Sequence, residues 1–242
     1  MARSGNQASE TDVARMFDGI TPVYDRLNTL MTLGLDGRWR RLACAATGLR
    51  PGAAAIDVAC GTGKLSAALA DAVGPFGRVE GVDLSPGMVE RAQHTYADRV
   101  QLRFRVGNAL ALPFDDGEFD AATIAFGLRN LVDFGAGFRE LARVVRPGGW
   151  VVCLELSLPA WRPWARAFHR AFRTVAPIAG AVVGGQARAY RYLPDSLDGF
   201  PMPDELAALM RGAGLTEVGY RRLATGVACL HRGRVPGAGI DD

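Results

Sequence analysis

Five segments with strand character, most of them apolar, recur through the middle of the chain, and helical patterns separate most of them. The segments are AAAIDVA (53–59), RVEGVD (78–83), VQLRFRV (100–106), EFDAATIAF (118–126) and WVVCLEL (150–156). A continuous apolar run is typical of a strand covered on both faces, and strands that alternate with helices form a parallel sheet. The chain is therefore predicted to be an α/β protein with a Rossmann-like, doubly wound and mostly parallel sheet.

Two helices are predicted ahead of this region. Apolar residues recur at helical spacing from Thr11 to about Leu30, and a second helix is predicted from Trp39 to Leu49. They are interpreted as a helical N-terminal cover. A length of 242 residues suits one domain, predicted over 11–233 between flexible ends at 1–10 and 234–242.

The alternation stops after Leu158. Residues 159–203 are predicted to be an insertion that forms a helical lid. A helix at 204–214 follows, and two strands at 217–223 and 226–232 are close enough to form a hairpin. The sheet is therefore expected to end with an antiparallel strand.

Composition and charge argue against several classes of function. The formal net charge is only +3 and long runs of Lys or Arg are absent, so nucleic acid is not a predicted partner. The four cysteines lie far apart without a nearby His, so no metal site is predicted and free thiols are expected. The N-terminus lacks the apolar core of a signal peptide, and no stretch reaches the roughly 20 apolar residues that span a bilayer. A cytoplasmic protein is predicted.

A glycine-rich turn, DVACGTG (57–63), follows the first strand of the alternating region. Gly61 and Gly63 have no Cβ, so the backbone can turn tightly and approach a ligand closely. Asp83 ends the second strand about 20 residues later, where a carboxylate can accept from both ribose hydroxyls. Asn108-Ala109 follows the third strand and is expected at the same edge of the sheet. A nucleoside-containing ligand is therefore predicted, although a glycine turn without a ligand remains an alternative.

Two residues favour S-adenosyl-L-methionine as that ligand over a dinucleotide. The dinucleotide fingerprint has a third glycine three positions after Gly63, where this chain has Ser66. That fingerprint also serves a pyrophosphate, which adenosylmethionine lacks. Asp57, inside the first strand, instead offers an acceptor near a cationic amino-acid group.

Further motifs recur along nearly the whole chain. They are FDGITPVYDRLNTLMTLGLDGRWRR (17–41), VACGTGKL (58–65), NALALPF (108–114), AFGLRNLVD (125–133), RVVRPGG (143–149), YRYLPDSL (190–197) and TGVACLHRG (225–233). From about Val13 to Gly233 the chain resembles the ubiquinone/menaquinone-biosynthesis C-methyltransferase family, which includes demethylmenaquinone methyltransferases. The most specific motifs are Y-D-x-x-N with the W-R-R that follows, and F-G-L-R-N.

The resemblance implies a class I methyltransferase fold and a methyl transfer to a ring carbon of a prenylated hydroquinone, first of all demethylmenaquinol. It assigns cofactor contacts to the residues Thr62, Asp83, Asn108 and Ala109, and Leu84 beside Asp83 completes the predicted set.

Two positions depart from the family pattern. Ala125 stands at a cofactor position where the family often has serine, so a hydroxyl contact is lost there. Arg188 stands where the family commonly has an acidic residue, inside the insertion expected to face substrate. These departures leave open a specialised-metabolism methyltransferase with another aromatic or polyketide-like substrate, or a cyclase-like protein that transfers no methyl group.

Arg129, in F-G-L-R-N, is the first candidate catalytic residue. A ring carbon is a poor nucleophile until a neighbouring hydroxyl, with a pKa of about 10, loses its proton. Arg129 is predicted to hold the developing phenolate directly or through a water, and an ion pair with Asp133 or another acid is the alternative. Tyr24 is predicted to face the sulfonium as a cation–π partner, with Asp25 as a base or orienter. A capped helix end with a buried Tyr would also explain Tyr24 and Asp25.

Residues 161–175 predict a basic and aromatic amphipathic helix. Its apolar positions are Trp161, Trp164, Phe168, Phe172 and Val175, and its basic positions are Arg162, Arg166, Arg170 and Arg173. Such a helix can lie on an anionic bilayer, which would place the protein peripherally on the inner face of the cytoplasmic membrane near a lipophilic substrate. It can equally be a lid over a tail pocket, or a helix packed on the sheet. The oligomeric state stays open, a homodimer included.

Overall fold

The computed structural model describes residues 10–159, 161–184, 196–197 and 199–237. The helices are α1 (Glu10–Met31), α2 (Leu35–Ala46), α3 (Lys64–Val73), α4 (Pro86–Thr95), α5 (Phe134–Val144), α6 (Arg162–Gly184) and α7 (Pro203–Gly212). The strands are β1 (Ala54–Val58), β2 (Arg78–Asp83), β3 (Leu102–Val106), β4 (Phe119–Ala125), β5 (Val145–Leu156), β6 (Thr216–Leu223) and β7 (Ala228–Arg234). Most of the predicted flexible ends, and Arg188, lie outside the described residues.

The strands form one seven-stranded sheet in the order β3-β2-β1-β4-β5-β7-β6. The strands from β3 to β5 in that order are parallel, and β7 is antiparallel to both of its neighbours. The predicted doubly wound α/β fold with a C-terminal antiparallel strand is confirmed. The chain order reverses between β1 and β4, and the crevice at the carboxyl ends beside such a switch point is where open α/β sheets bind ligands.

Helices cover both faces of the sheet, and two apolar layers result. On β1, Ala55 packs into the layer that contains Leu69 of α3, whereas Ile56 packs into the layer that contains Phe138 of α5. All four side chains are fully buried, and each large one contributes roughly 1.5–3 kcal/mol to folding. Because both faces are covered, the central strands are apolar without alternation.

The predicted bounds of the second helix are wrong at both ends. α2 begins at Leu35 because Gly34 takes a left-handed φ of 76° and turns the chain directly into the helix after α1. It ends at Ala46, since Thr47 is its C-cap and donates from Oγ1 to the carbonyl oxygen of Cys44. β7 likewise begins later than predicted, because 224–226 form a 3-10 turn between the two strands.

The described part of the insertion after β5 consists largely of α6, whose Phe172 packs with Ile20 of α1. α1 and α6 therefore pack against each other. Among the described residues, no helix combines the length and the hydropathy that crossing a bilayer requires.

Candidate active site

The glycine-rich turn stands at the carboxyl end of β1. Gly61 and Gly63 both have positive φ, 55° and 83°. A Cβ on Gly63 would also lie 2.6 Å from the ring of Phe104, so a side chain is excluded there by contact as well as by conformation. The Gly61 N–H donates to Oδ2 of Asp83 at 2.7 Å. The turn and the end of β2 are therefore joined as one unit.

A pocket with about 730 Å³ of empty space, part of it open to solvent, lies over this unit. Its lining includes five of the predicted cofactor residues, namely Gly61, Asp83, Leu84, Asn108 and Ala109. Asp83 also accepts from the Ser85 N–H at 2.9 Å, and burial raises the pKa of its carboxyl. A carboxylate offers about four acceptor positions, so Asp83 can hold the turn and still accept from a ligand.

Four other predicted cofactor residues are not in the described lining of this first pocket: Asp57, Thr62, Gly63 and Ala125. Asp57 is buried in β1 and accepts from Ser66 Oγ at 2.6 Å and from Thr123 Oγ1 at 2.7 Å. Burial raises the pKa of Asp57 from 3.8 to about 6, although both hydroxyls act in the other direction. The structure places Asp57 beneath the turn, where its carboxylate joins β1 to α3 and β4.

Helix α1 covers the first pocket and is held there by Asp18. The Oδ1 of Asp18 accepts from Ser85 Oγ and, at 2.9 Å, from the Gly87 N–H at the start of α4. The sequence S-P-G at 85–87 does indicate a helix start. It does not show that a residue of α1 binds that start, so sequence reasoning missed Asp18.

Tyr24 faces the glycine turn from α1 and lines the first pocket. A Cβ on Gly61 would lie 3.7 Å from its ring, and Phe17 packs edge to face against it at 5.9 Å. Burial raises the pKa of the Tyr24 hydroxyl, while the charges of Arg40 and Arg129 lower it. Tyr24 therefore presents a neutral aromatic ring to this pocket.

A second pocket, with about 980 Å³ of empty space, opens beside the first. Its apolar lining residues are Met31, Leu33, Leu35, Trp39, Phe126, Leu156, Trp164, Phe168, Phe172, Ala224 and Val227. Phe126 lines both pockets, so the two spaces meet at this side chain. Its φ of 59° is unusual for a bulky residue, and such strain is concentrated at functional sites.

Arg129 brings a positive charge to the wall of the second pocket. Its Nη1 forms a buried ion pair with Glu155 of β5, and its Nε donates to Ser196 Oγ at 3.1 Å. Asp133 instead caps α5 by accepting from the Ala136 N–H at 2.9 Å. Arg129 therefore does form the ion pair that was the alternative interpretation, and the acid is Glu155 rather than Asp133.

Asp25 is absent from the described lining of both pockets. It accepts from Thr62 Oγ1 at 2.9 Å and pairs with Lys64 Nζ at 3.2 Å. The structure thus brings Asp25 to the glycine turn, and through Thr62 and Lys64 it joins α1 to the start of α3.

Helix α6 lies over the second pocket as a lid. Phe168 and Phe172 stack at 5.7 Å and both line the pocket, while Trp164 Nε1 donates to Thr225 Oγ1 at 3.0 Å. Thr225 is held at a positive φ of 59° in the turn before β7. The apolar side chains of the predicted amphipathic pattern therefore lie in two environments. Phe168 and Phe172 face the second pocket, whereas Trp161 is exposed to solvent.

The strand order, the glycine turn after β1 and the acid at the end of β2 together define a class I methyltransferase that uses S-adenosylmethionine. Within that class the chain belongs to the ubiE/COQ5 methyltransferase family, which it matches over residues 5–235. It is 41% identical over 223 residues to a demethylmenaquinone methyltransferase of Desulfitobacterium hafniense (strain Y51), covering 91% of this chain and 88% of that protein. It is 38% identical over 228 residues to one of Staphylococcus aureus (strain JH9), covering 94% and 95%.

Solved structures of similar fold are more distant in sequence. A Haloferax volcanii complex of the Trm112 methyltransferase activator with a putative methyltransferase matches at a TM-score of 0.67 and 22% identity, over 91% of this chain and 97% of that one. The [4+2]-cyclase SpnF matches at 0.64 and 18% identity, over 98% and 100%. These likenesses show the fold.

The first pocket fits adenosylmethionine by its chemistry. Asp83 brings carboxylate oxygens, which accept from hydroxyls such as those of a ribose, and Leu84 and Met88 bring apolar surface of the kind that a purine ring packs against. The positive φ of Gly61 brings bare backbone to the same space.

Proposed function

We propose that this chain transfers a methyl group from S-adenosylmethionine to a ring carbon of a prenylated hydroquinone, with demethylmenaquinol as its substrate. The observation that carries the proposal is the meeting of the two pockets at Phe126, one suited to the cofactor and the other apolar with a buried arginine on its wall. Both relatives are named as demethylmenaquinone methyltransferases, which supports the choice of demethylmenaquinol.

The second pocket has the walls that a naphthalene ring needs. Trp39 and Phe126 form one aromatic side, with ring centroids 6.3 Å apart, and the stacked Phe168 and Phe172 belong to the lid. Aromatic side chains gain free energy from burying such a ring and from edge and face contacts with it. A prenyl tail would leave the pocket beside Leu33, which lines it and is 86% exposed.

Arg129 is proposed to stabilise the phenolate that makes the neighbouring ring carbon nucleophilic. In a water-poor pocket, the positive charge of a guanidinium lowers the pKa of a nearby hydroxyl. Glu155 and Ser196 hold Nη1 and Nε, and Nη2 makes no hydrogen bond to a described residue. Nη2 is therefore proposed to donate to the substrate oxygen.

In the cofactor pocket, the proposed roles fall to residues on both sides of the turn. Bound adenosylmethionine supplies an electrophilic methyl group on a sulfonium. The Tyr24 ring is proposed to face that cation, and Asp83 with Asn108 to hold the ribose and adenine. Asp25 is proposed to orient the glycine turn through Thr62, and Asp57 is proposed to support the turn from below. Neither carboxylate is proposed to contact the cofactor.

Ala125 is proposed to contribute to the cofactor site indirectly. It is buried at the end of β4, directly before Phe126, and a serine hydroxyl is lost at this position. The chain is therefore expected to rely on its remaining polar groups, Asp83 and Asn108, for cofactor affinity.

Contact with a membrane surface is proposed for the lid side of the molecule. Leu33 and Trp161 are 86% and 71% exposed, and the exposed Arg166 and Arg170 lie one turn apart on α6, which begins directly after Trp161. Exposed apolar side chains beside basic ones are what an anionic bilayer surface binds. The mouth of the second pocket would then open where a polyprenyl quinol resides.

The test is product identification with purified protein. Adenosylmethionine is incubated with reduced, short-tailed demethylmenaquinol, and in parallel with a demethoxyubiquinol analogue, and products are analysed by mass spectrometry. The proposal expects one added methyl group on the naphthoquinol and stoichiometric adenosylhomocysteine. If neither quinol gives a product while cofactor binding is intact, the proposal is refuted and a different substrate class is favoured.

A further inference from the structure

Arg40 of α2 is a second buried arginine on the wall of the second pocket. Its side chain lines that pocket and the residue is 8% exposed. Its Nε is closed to solvent and has no hydrogen-bond partner, and none of its guanidinium nitrogens donates to a described residue. Its ion pair with Asp36 is long, with 4.0 Å between Nε and Oδ2.

The buried Nε without a partner costs free energy, and the outer nitrogens Nη1 and Nη2 remain as the donors for a ligand in the pocket. A buried donor without a partner loses about 1–3 kcal/mol of hydration that nothing replaces. Asp36 does not supply the lost bond, because its Oδ2 lies 4.0 Å from Nε, beyond hydrogen-bond distance. Buried unsatisfied groups in native proteins are few, and a binding role is one of the explanations they admit.

The orientation of Arg40 is fixed by stacking. Its guanidinium carbon lies 5.1 Å from the centroid of Phe126, the residue that lines both pockets. A stacked planar guanidinium keeps its N–H donors at its edge, where they can meet an oxygen atom with little further loss of entropy.

Arg40 and Arg129 reach the same pocket from different elements. Arg40 comes from α2, whereas Arg129 comes from the 3-10 turn after β4, and both charges lower the pKa of Tyr24. A substrate with one hydroxyl on its ring would need one such donor. A ring that carries two oxygens on opposite sides offers an acceptor to each.

We infer that Arg40 is a specificity-determining residue that donates to the second oxygen of a para-dihydroxy aromatic substrate, the oxygen across the ring from the one held by Arg129. This inference rests on the proposed function and adds the reason why a hydroquinol, rather than a simple phenol, is the preferred acceptor. Arg40 binds and selects, while Arg129 acts on the hydroxyl beside the carbon that gains the methyl group.

The test is a cycle of two proteins and two substrates. Wild type and Arg40→Met are compared on demethylmenaquinol and on a matched analogue that keeps the hydroxyl beside the accepting carbon and lacks the one across the ring. A hydrogen bond to a charged donor corresponds to roughly a 10- to 100-fold effect. Arg40→Met is expected to lower kcat/KM for the quinol by that factor, mainly through KM, and to leave kcat/KM for the analogue within about 3-fold. Arg40→Lys, which keeps a donor, is expected to recover part of the loss.

Two controls separate this role from a structural one. Arg41→Met changes the adjacent, exposed arginine and should leave kcat and KM unchanged on both substrates. Affinity for adenosylhomocysteine and the thermal midpoint report whether Arg40→Met is folded. An equal loss on both substrates, or no loss on the quinol, overturns the inference.

Failure of the proposed function has a different signature. If wild type methylates neither compound, the proposed function is refuted. The same cycle is then run as binding of 1,4-dihydroxynaphthalene and 1-naphthol, followed through the fluorescence of Trp39 and Trp164, which line the pocket. A preference for the dihydroxy compound that disappears in Arg40→Met upholds the assignment, and an unchanged preference overturns it.

Discussion

Arg129 and Glu155 form an ion pair inside the second pocket wall, with side chains only 4% and 1% exposed. The pair joins the F-G-L-R-N turn after β4 to the carboxyl end of β5, and Glu155 Oε2 also accepts from the Arg129 N–H at 3.3 Å. Glu155 thereby fixes both the backbone and the side chain of the proposed catalytic arginine. Its own role is positioning, since it reaches the substrate only through Arg129.

Substitution of Glu155 should therefore cost stability. Glu155→Ala leaves the Arg129 charge buried without its partner, and such losses are about 3–5 kcal/mol. Glu155→Gln keeps an acceptor and should lose less. Urea unfolding measures both, with Glu217→Gln, which breaks an exposed pair with Arg234, as the control. A Glu155→Ala cost no larger than that of Glu217→Gln would contradict the positioning role.

The contact between Asp18 and the start of α4 should strengthen cofactor binding. Asp18→Ala removes the acceptor for Ser85 and Gly87 and frees the cover helix from the pocket rim. A loss of about 1–2 kcal/mol corresponds to a roughly 5- to 30-fold weaker affinity for adenosylhomocysteine. Calorimetric titration measures it. Asp12→Ala changes an exposed site on the same helix and should bind adenosylhomocysteine as wild type does. Equal affinities of the Asp18 and Asp12 variants would contradict a role of Asp18 in cofactor binding.

The pH dependence of stability should carry the signature of Asp57. Burial raises its pKa from 3.8 to about 6, so the folded state binds the proton more tightly than the unfolded state. The contribution of this group to stability is therefore most favourable below pH 4 and declines as the pH rises to 6, by roughly 3 kcal/mol in all.

Asp57→Asn removes that titration. Between pH 4 and pH 7, the free energy of unfolding of wild type should fall relative to that of the variant by roughly 2–3 kcal/mol. Lost hydrogen bonds from Ser66 and Thr123 add an offset that does not change with pH. Unfolding in urea across this range measures the difference, and a constant difference would mean that Asp57 ionises normally in the folded state.

The proposed membrane contact predicts a dependence on lipid charge. Each basic side chain near an anionic surface contributes about 1 kcal/mol, so Arg166→Gln with Arg170→Gln should lower partitioning onto phosphatidylserine vesicles by roughly 30-fold. Partitioning onto neutral vesicles should not change. The matched control replaces the exposed Arg91 and Arg103, on α4 and β3, in the same way. If both double variants lower partitioning onto phosphatidylserine vesicles equally, the binding depends on net charge alone and not on a surface at α6.

The sheet and the cofactor edge could be predicted because their signals are local. An apolar run followed by glycines marks β1 and its turn, and the carboxyl ends of parallel strands bring Asp83 and Asn108 to the same edge. The N-terminal cover was also predictable, since helical spacing of apolar residues needs no tertiary information. α1 spans Glu10–Met31, close to the predicted range.

The contacts across the site could not be predicted in the same way, because each joins elements far apart in sequence. A lone acid in the apolar strand WVVCLEL indicates a buried partner, since Glu is almost never fully buried unpaired. Its partner is 26 residues away, and nothing local distinguishes it from other arginines. The strained Phe126 and the inward-facing Arg40 depend on the packing of α2 against the end of β4, which the sequence pattern does not contain.

Transfer of a methyl group to a ring carbon can be followed through the position of a labelled methyl group in the product. Protein, methyl-¹³C-labelled adenosylmethionine and demethylmenaquinol are allowed one turnover, and the product is examined by NMR. One label is expected on the unsubstituted quinoid ring carbon, and Arg129→Met is expected to reduce the rate greatly while adenosylhomocysteine binding stays intact. A label on oxygen, or no transfer although both ligands bind, would contradict it.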